Sequence, residues 1–269
     1  MGASLAAVAG ALVASALFAQ AFLRLRRRGR ADLAGWDRAA LFAAAIALWL
    51  VALSPPLDNA ADKLLAAHML EHLLIGDAVP ALFLVAVRGP LLFFLLPAPL
   101  LRWLAARRAL RACAGVLTRP AVAFAIWALA LAVWHVPALY DRTLESQPLH
   151  LLQHASFILG GTLVWMQLVD PAGRRALSPR LRLGYALVLF VAGQMLANTL
   201  ILTYRPLYPA YALQPQRLFG ISPLGDQDAA GLVMIAEQIA TLGTFAAIQL
   251  RRWLRAPLLP QPARHPFAV

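Results

Sequence analysis

The chain has 269 residues, of which 61% are hydrophobic and only 13% charged, with a formal net charge of +12 at pH 7. A soluble domain of this size carries about 25% charged residues, so the composition excludes one and reads as an all-α integral membrane protein. A single cysteine, Cys113, excludes an internal disulfide and a paired-thiolate metal site. The arginines cluster between apolar runs, which makes them a topology signal and not a nucleic-acid surface.

Residues 3–23 are apolar and uncharged, long enough to cross a hydrocarbon core of about 30 Å at about 1.5 Å per residue. A cleaved signal peptide would place its positive charge before the apolar run, whereas Arg24, Arg26, Arg27, Arg28 and Arg30 follow it. We therefore expect a first span with its N-terminus outside. Further spans are expected at 39–53, 64–87, 121–136, 149–168, 183–202 and 229–250, which makes a seven-transmembrane helix bundle forming one polytopic domain over 1–269. Residues 90–101 are apolar but short and proline-rich, so 90–119 reads as an interfacial segment running into a basic cytoplasmic loop. The connections 141–148 and 203–228 read as outer loops.

Arginine distribution tests that count. Of the 24 Lys and Arg residues, all but Lys63, Arg142, Arg205 and Arg217 fall in segments assigned to the cytoplasm. The outer loops instead hold Asp58, Asp62, Asp141, Glu145, Asp226 and Asp228. Seven spans then place the C-terminus in the cytoplasm, and in a bacterial inner membrane the outer side is the periplasm.

This topology brings five of the six histidines to one level. His68 and His72 open the third span, His150 and His154 open the fifth, and His135 ends the fourth. Residues four apart on a helix share a face, so each pair presents two imidazoles together. Polar groups in spans are costly and normally face a functional interior. The set therefore points to a metal site, with His265 in the C-terminal tail left out as a solvated residue.

Met69 and Met234 lie at similar depth, as do Glu71, Gln153, Asn198 and Glu237. Asp58 and Asp226 flank the outer surface. Imidazole with thioether favours copper, Cu(I) or Cu(II), with zinc second; calcium or magnesium would need an oxygen cage. Asp77 lies on the opposite face of its helix from His68, so it is expected to pair with another span.

The series Ser54-Pro55-Pro56-Leu57-Asp58, His68-Met69-Leu70-Glu71-His72, Trp134-His135-Val136-Pro137-Ala138-Leu139-Tyr140, His150-Leu151-Leu152-Gln153-His154, Leu207-Tyr208-Pro209 and Asp226 to Met234 resembles the CtaG-type (caa3_CtaG) assembly factors of cytochrome c oxidase. The resemblance runs from about Trp36 to Leu250. It implies a multi-pass bacterial inner-membrane assembly factor, not an enzyme, that delivers copper as a metallochaperone to oxidase subunit II or I from a periplasmic copper donor. By the same resemblance, His68, His72, His135, His150 and His154 occupy the family's histidine positions and Met69, Asp226 and Met234 its accompanying ones, so the five histidines with Met69 and Met234 are the candidate metal ligands. Glu71 departs from the glutamine expected there, and Ile235-Ala236-Glu237 is less aromatic than the family pattern. Two other readings of the residues remain: a seven-span zinc-dependent membrane hydrolase with Glu71 or Glu237 as base and Ser156 assisting, and a copper transporter lined by Met234, Glu237, Gln238 and Thr241. Lipid is the surrounding partner in every case, and no nucleic acid is expected.

Overall fold

The computed structural model describes residues 2–215 and 217–255, and among them it is entirely helical. His265 lies outside the described residues. Helix α1 is Gly2–Arg27, α2 Trp36–Ala52, α3 Pro55–Ala61, α4 Leu65–Leu73 and α5 Val79–Val87. Next come α6 Pro90–Leu95, α7 Ala98–Ala106, α8 Arg108–Leu117, α9 Pro120–Trp134 and α10 Pro137–Glu145. The last five are α11 Gln147–Val169, α12 Pro179–Leu202, α13 Pro209–Ala212, α14 Pro223–Gln238 and α15 Thr244–Leu254. A π-helical turn at Leu74–Ala78 joins α4 to α5, and another at Ile239–Gly243 joins α14 to α15.

Proline sets seven of the fifteen described helix starts. Pro55, Pro90, Pro120, Pro137, Pro179, Pro209 and Pro223 each occupy the first helical position, where the missing N–H costs nothing and the fixed φ is already helical. Ser178 and Ser222 cap α12 and α14 by accepting from Leu181 N and Gly225 N. Pro80 is different, because it sits two residues after the first π-helical turn. It cannot donate to the carbonyl of Gly76, and the wider turn accommodates that lost bond.

Among the described residues, five helical runs are long and apolar enough to cross a membrane: Leu5–Arg27, Ala31–Ala52, Leu65–Val87, Pro179–Leu202 and Pro223–Leu254. A sixth arises if Arg108–Leu117 and Pro120–Trp134, bent by 71°, are taken together. Two of the seven expected spans fall short of that standard alone. Helix α9 has only 15 residues, and α11, though 23 residues long, is diluted by Gln147, His150, Gln153 and His154 in its N-terminal part. The expected stretch 90–101 forms the two short helices α6 and α7, of which α6 packs on α1 with Leu91 fully buried.

Small residues let the helices close up. A Cβ on Gly161 of α11 would overlap the carbonyl oxygen of Gly76, and one on Gly231 of α14 would meet Ala197 O at 2.8 Å. Around these approaches, Leu163, Val164, Trp165 and Leu168 of α11 pack with Ala81, Ala123 and Leu189. A separate aromatic cluster, with Phe18 and Phe42 stacked at 4.0 Å, ties α1 to α2.

The loops gather at two ends of the bundle. At one end Arg38 donates to Arg88 O, Gly89 N donates to Pro171 O (2.6 Å), and Arg174 donates to Thr118 Oγ1 (2.7 Å). At the other, Gln214 donates to Asp62 O (3.0 Å) and Tyr208 OH to His135 O (3.3 Å). The stretch expected as a polar connection after Tyr140 is largely helix α10, because Tyr140 and Thr143 are buried against the bundle.

Candidate metal centre

The site lies at this second end, where α4, α11 and α14 begin. Leu64 precedes α4 and has no side chain able to cap it, so the first amides of the helix need an acceptor from elsewhere. Asp226 of α14 supplies it, accepting from Leu65 N at 2.8 Å and Ala66 N at 3.0 Å while fully buried. This carboxylate therefore orients α4, one turn before His68, and does not face outward to attract a cation. Gln227 fixes the preceding loop, accepting from Leu207 N and donating to the carbonyl of Leu200.

His68 is held by a residue the sequence reading did not single out. Tyr211 OH donates to Ala61 O at 2.8 Å and so accepts from His68 Nδ1 at 2.6 Å. The proton of His68 is therefore on Nδ1, and its Nε2 presents a lone pair 3.0 Å from His72 Nε2. His150 and His154 complete the group from α11: the ring centroids lie 5.3 Å apart for His68 and His150, 5.1 Å for His72 and His154, and 4.2 Å for His150 and His154.

Two sets of ligand atoms converge to within 4.8 Å, His68 with His72 and His150, and Glu71 with His150 and His154. His150 belongs to both. Ligands of a tetrahedral site at about 2.0–2.1 Å from a metal lie roughly 3.4 Å apart, so modest ring rotation closes either set. Its polar atoms are unspent. His72 Nδ1, His150 Nε2, His154 Nε2 and both oxygens of Glu71 are buried with no hydrogen-bond partner. The Glu71 carboxylate lies 3.7 Å from His154 Nε2, too far for a hydrogen bond. Burying such groups unpaired is costly, and a cation between them would satisfy several at once.

The remaining expected residues divide. His135 is in neither set; its Nδ1 donates to Leu131 O at 2.7 Å, and its Nε2 lies 3.4 Å from Met69 Sδ. Met69 and Met234 are buried in one cluster with Tyr140 and Tyr211. Gln153 is fully buried beside the histidines with its amide unpartnered. Asp58 is half-buried in the first turn of α3. Just beyond it, burial and then Asp58 raise the Asp62 carboxyl above its ordinary range, opposed by His150 and Lys63.

Asn198 does not join the site. Gly193, Ala197 and Leu200 form the buried face of α12, and Asn198, one residue past Ala197, turns to the exposed side. The stripe from Met234 to Thr241 also splits: Met234 and Gln238 line the cavity beneath the histidines, while Thr241 lines a separate apolar pocket with Trp165. Glu237 is half-buried with both carboxylate oxygens unpartnered. As expected from its opposite face, Asp77 pairs elsewhere, accepting from the indole of Trp165 on α11. Ser156 is engaged, donating to Gln153 O and accepting from Trp134 Nε1, each at 2.7 Å.

Tyr211 is the contributor that sequence reasoning missed, whereas Tyr140 closes the Trp134 to Tyr140 motif. The available signal was the run of three tyrosines, Tyr204, Tyr208 and Tyr211, at the start of the outer loop.

No curated protein and no solved structure matches the chain. The family described as cytochrome c oxidase caa3 assembly factor (Caa3_CtaG) matches residues 16–256, nearly the whole length and every residue of the cluster. This membrane protein, with its buried histidines at one end of a helical bundle, belongs to the cytochrome c oxidase caa3 assembly factor family.

Proposed function

We propose that the chain carries copper as cargo in the histidine cluster and hands it to a subunit of the oxidase whose assembly its family serves. The observation that carries this is the convergence of four imidazoles with Glu71, in which one ring nitrogen each of His72, His150 and His154 and both Glu71 oxygens are buried without partners. Copper is the ion because imidazole with nearby thioether suits it better than any oxygen-seeking cation. The acceptor is subunit II or subunit I; a pair of cysteine thiolates in subunit II would draw Cu(I) away by ligand exchange, since thiolate is the softer donor. The metal arrives from a periplasmic donor.

The setting that fits is a bacterial inner membrane with the cluster on the periplasmic side. Seven crossings result if α9 and α11 are added to the five long apolar runs, with the N-terminus outside and the C-terminus in the cytoplasm. The gathering of loops at two ends supports this alternation, because the arginine-rich segments around 38, 88, 118 and 174 share one end. Among the described residues, both candidate metal groups share His150 at the other end, which favours delivery from one face over passage through the membrane.

Elemental analysis of the detergent-purified chain, before and after anaerobic loading with Cu(I), tests the reading. About one or two coppers per chain, reduced in His68→Ala, His72→Ala, His150→Ala and His154→Ala, is the expected result. Stoichiometric zinc that copper does not displace would overturn it in favour of a zinc hydrolase. Equal copper in all four variants would remove the cluster as the site.

A further inference from the structure

Beneath the cluster lies a cavity of about 60 Å³ lined by Met69, His72, His135, Phe157 and Met234 among others. Its chemistry differs from that of the cluster above. His135 follows the last residue of α9, and its Nδ1 points at the carbonyl of Leu131 at 2.7 Å. A carbonyl can only accept, so Nδ1 carries the proton and Nε2 of the neutral ring carries a lone pair. That lone pair faces Met69 Sδ at 3.4 Å. A thioether has no proton to give, so two electron-pair donors confront each other.

This is the spacing of two ligands on one ion. Bonds of about 2.0 Å to nitrogen and about 2.3 Å to sulfur at a tetrahedral angle separate the donor atoms by about 3.5 Å. Met234 brings a second buried thioether to the same cavity. His72 lines the cavity as well, yet its Nε2 belongs to the upper cluster, so one imidazole forms a wall of both.

We propose that His135, Met69 and Met234 form a second site that holds monovalent copper, below a histidine and carboxylate cluster whose donors are harder. Imidazole with two thioethers is a soft donor set that selects Cu(I), whereas the upper set combines imidazoles with the Glu71 carboxylate. The cargo is thereby bound at two stations that share His72, and the inner one keeps Cu(I) away from solvent. The inference rests on copper being the cargo.

X-ray absorption at the copper and selenium edges of the full chain, labelled with selenomethionine and loaded anaerobically with Cu(I), tests it. The expected result is a copper neighbour at selenium. In the volume-conserving double variant Met69→Leu with Met234→Leu, that neighbour is lost, about one equivalent of Cu(I) is lost with it, and zinc binding at the upper cluster is unchanged. Retention of the copper–selenium contact in His150→Ala would further support an independent site. Copper bound with only nitrogen or oxygen neighbours, and equally well by the double variant, would overturn the second site while leaving the cluster reading intact. No copper bound by the unmodified chain would overturn both.

Discussion

At the scale of single residues, the site depends on groups that touch no metal in the proposed arrangement. Tyr211 OH accepts a hydrogen bond from His68 Nδ1 and donates its own to Ala61 O, which fixes both tautomer and ring orientation. Removing such an outer partner of a metal-binding imidazole typically weakens metal affinity about 10–100-fold. Tyr211→Phe should show that loss in a metal titration while its thermal melt falls modestly, since the two hydrogen bonds removed are each worth about 1 kcal/mol net. An unchanged titration would show that His68 needs no such support. At the other end of the bundle, Asp170 ends α11 in the left-handed region (φ 50°) and accepts from Arg174 N, Arg175 N and Arg182. Burial opposes its ionisation, yet the amides of Arg175 and Arg174 and the Arg182 guanidinium hold the carboxyl below its usual range. A carboxyl lowered in the folded state stabilises above its unfolded pKa, near 3.9, and loses that stabilisation as pH falls through the folded value. Asp170→Asn should therefore melt lower than the unmodified chain by a margin that is constant above about pH 5 and closes below about pH 4. A margin that persisted in acid would trace the loss to the turn and not to the charge.

Helices and their connections show how much was written in the sequence. His68 with His72, and His150 with His154, were legible because a four-residue spacing at the start of an apolar run can be read without knowing the fold. Asp58, Met69 and Met234 could be placed by depth alone. Asn198 could not, because depth says nothing about rotation, and the contact of Ala197 with α14 turns it outward. Asp226 was legible as important but not as a cap, since its partners on α4 lie 160 and 161 residues away. The π-helical turns were illegible too, although Pro80 marks where one was needed. Close helix approach gives an element-scale prediction. Gly161 faces the Gly76 carbonyl, to which Pro80 cannot donate, and Gly184 has nothing near its Cβ position. Gly161→Ala should separate α11 from the α4 and α5 run and destabilise by several kcal/mol, at least the ~1–3 kcal/mol of an overpacked core. Gly184→Ala should be neutral or stabilising by up to ~1 kcal/mol, because alanine is the better helix former. Melting temperatures of the two in one detergent compare them directly, and equal values would mean the helices part without cost.

For the molecule as a whole, the open quantity is how many times the chain crosses and which end faces out, and Cys113 offers a direct probe. It is the sole cysteine of the chain and is exposed on α8, within the basic segment between α5 and α9. Hydrophobicity alone permits two placements. Taken together with α9 across a 71° bend, α8 completes an apolar run long enough to cross, which would put Cys113 among lipid. Its charges argue for the other placement. Arg107, Arg108, Arg111 and Arg119 flank or interrupt α8, and Arg174 reaches Thr118 from the α11–α12 loop, so this segment belongs to the end of the bundle where arginine gathers. A membrane-impermeant maleimide should then leave Cys113 unlabelled in intact cells and label it once the inner membrane is opened. A cysteine introduced as Ser222→Cys, at the opposite end beside α14, should label in intact cells when Cys113 is replaced by serine. Labelling of Cys113 in intact cells would invert the bundle and place the histidine cluster toward the cytoplasm. Failure to label Cys113 under either condition would place α8 in the membrane. In the expected pattern the imidazoles face the outer side of the membrane, which is the geometry that the proposed capture and delivery require.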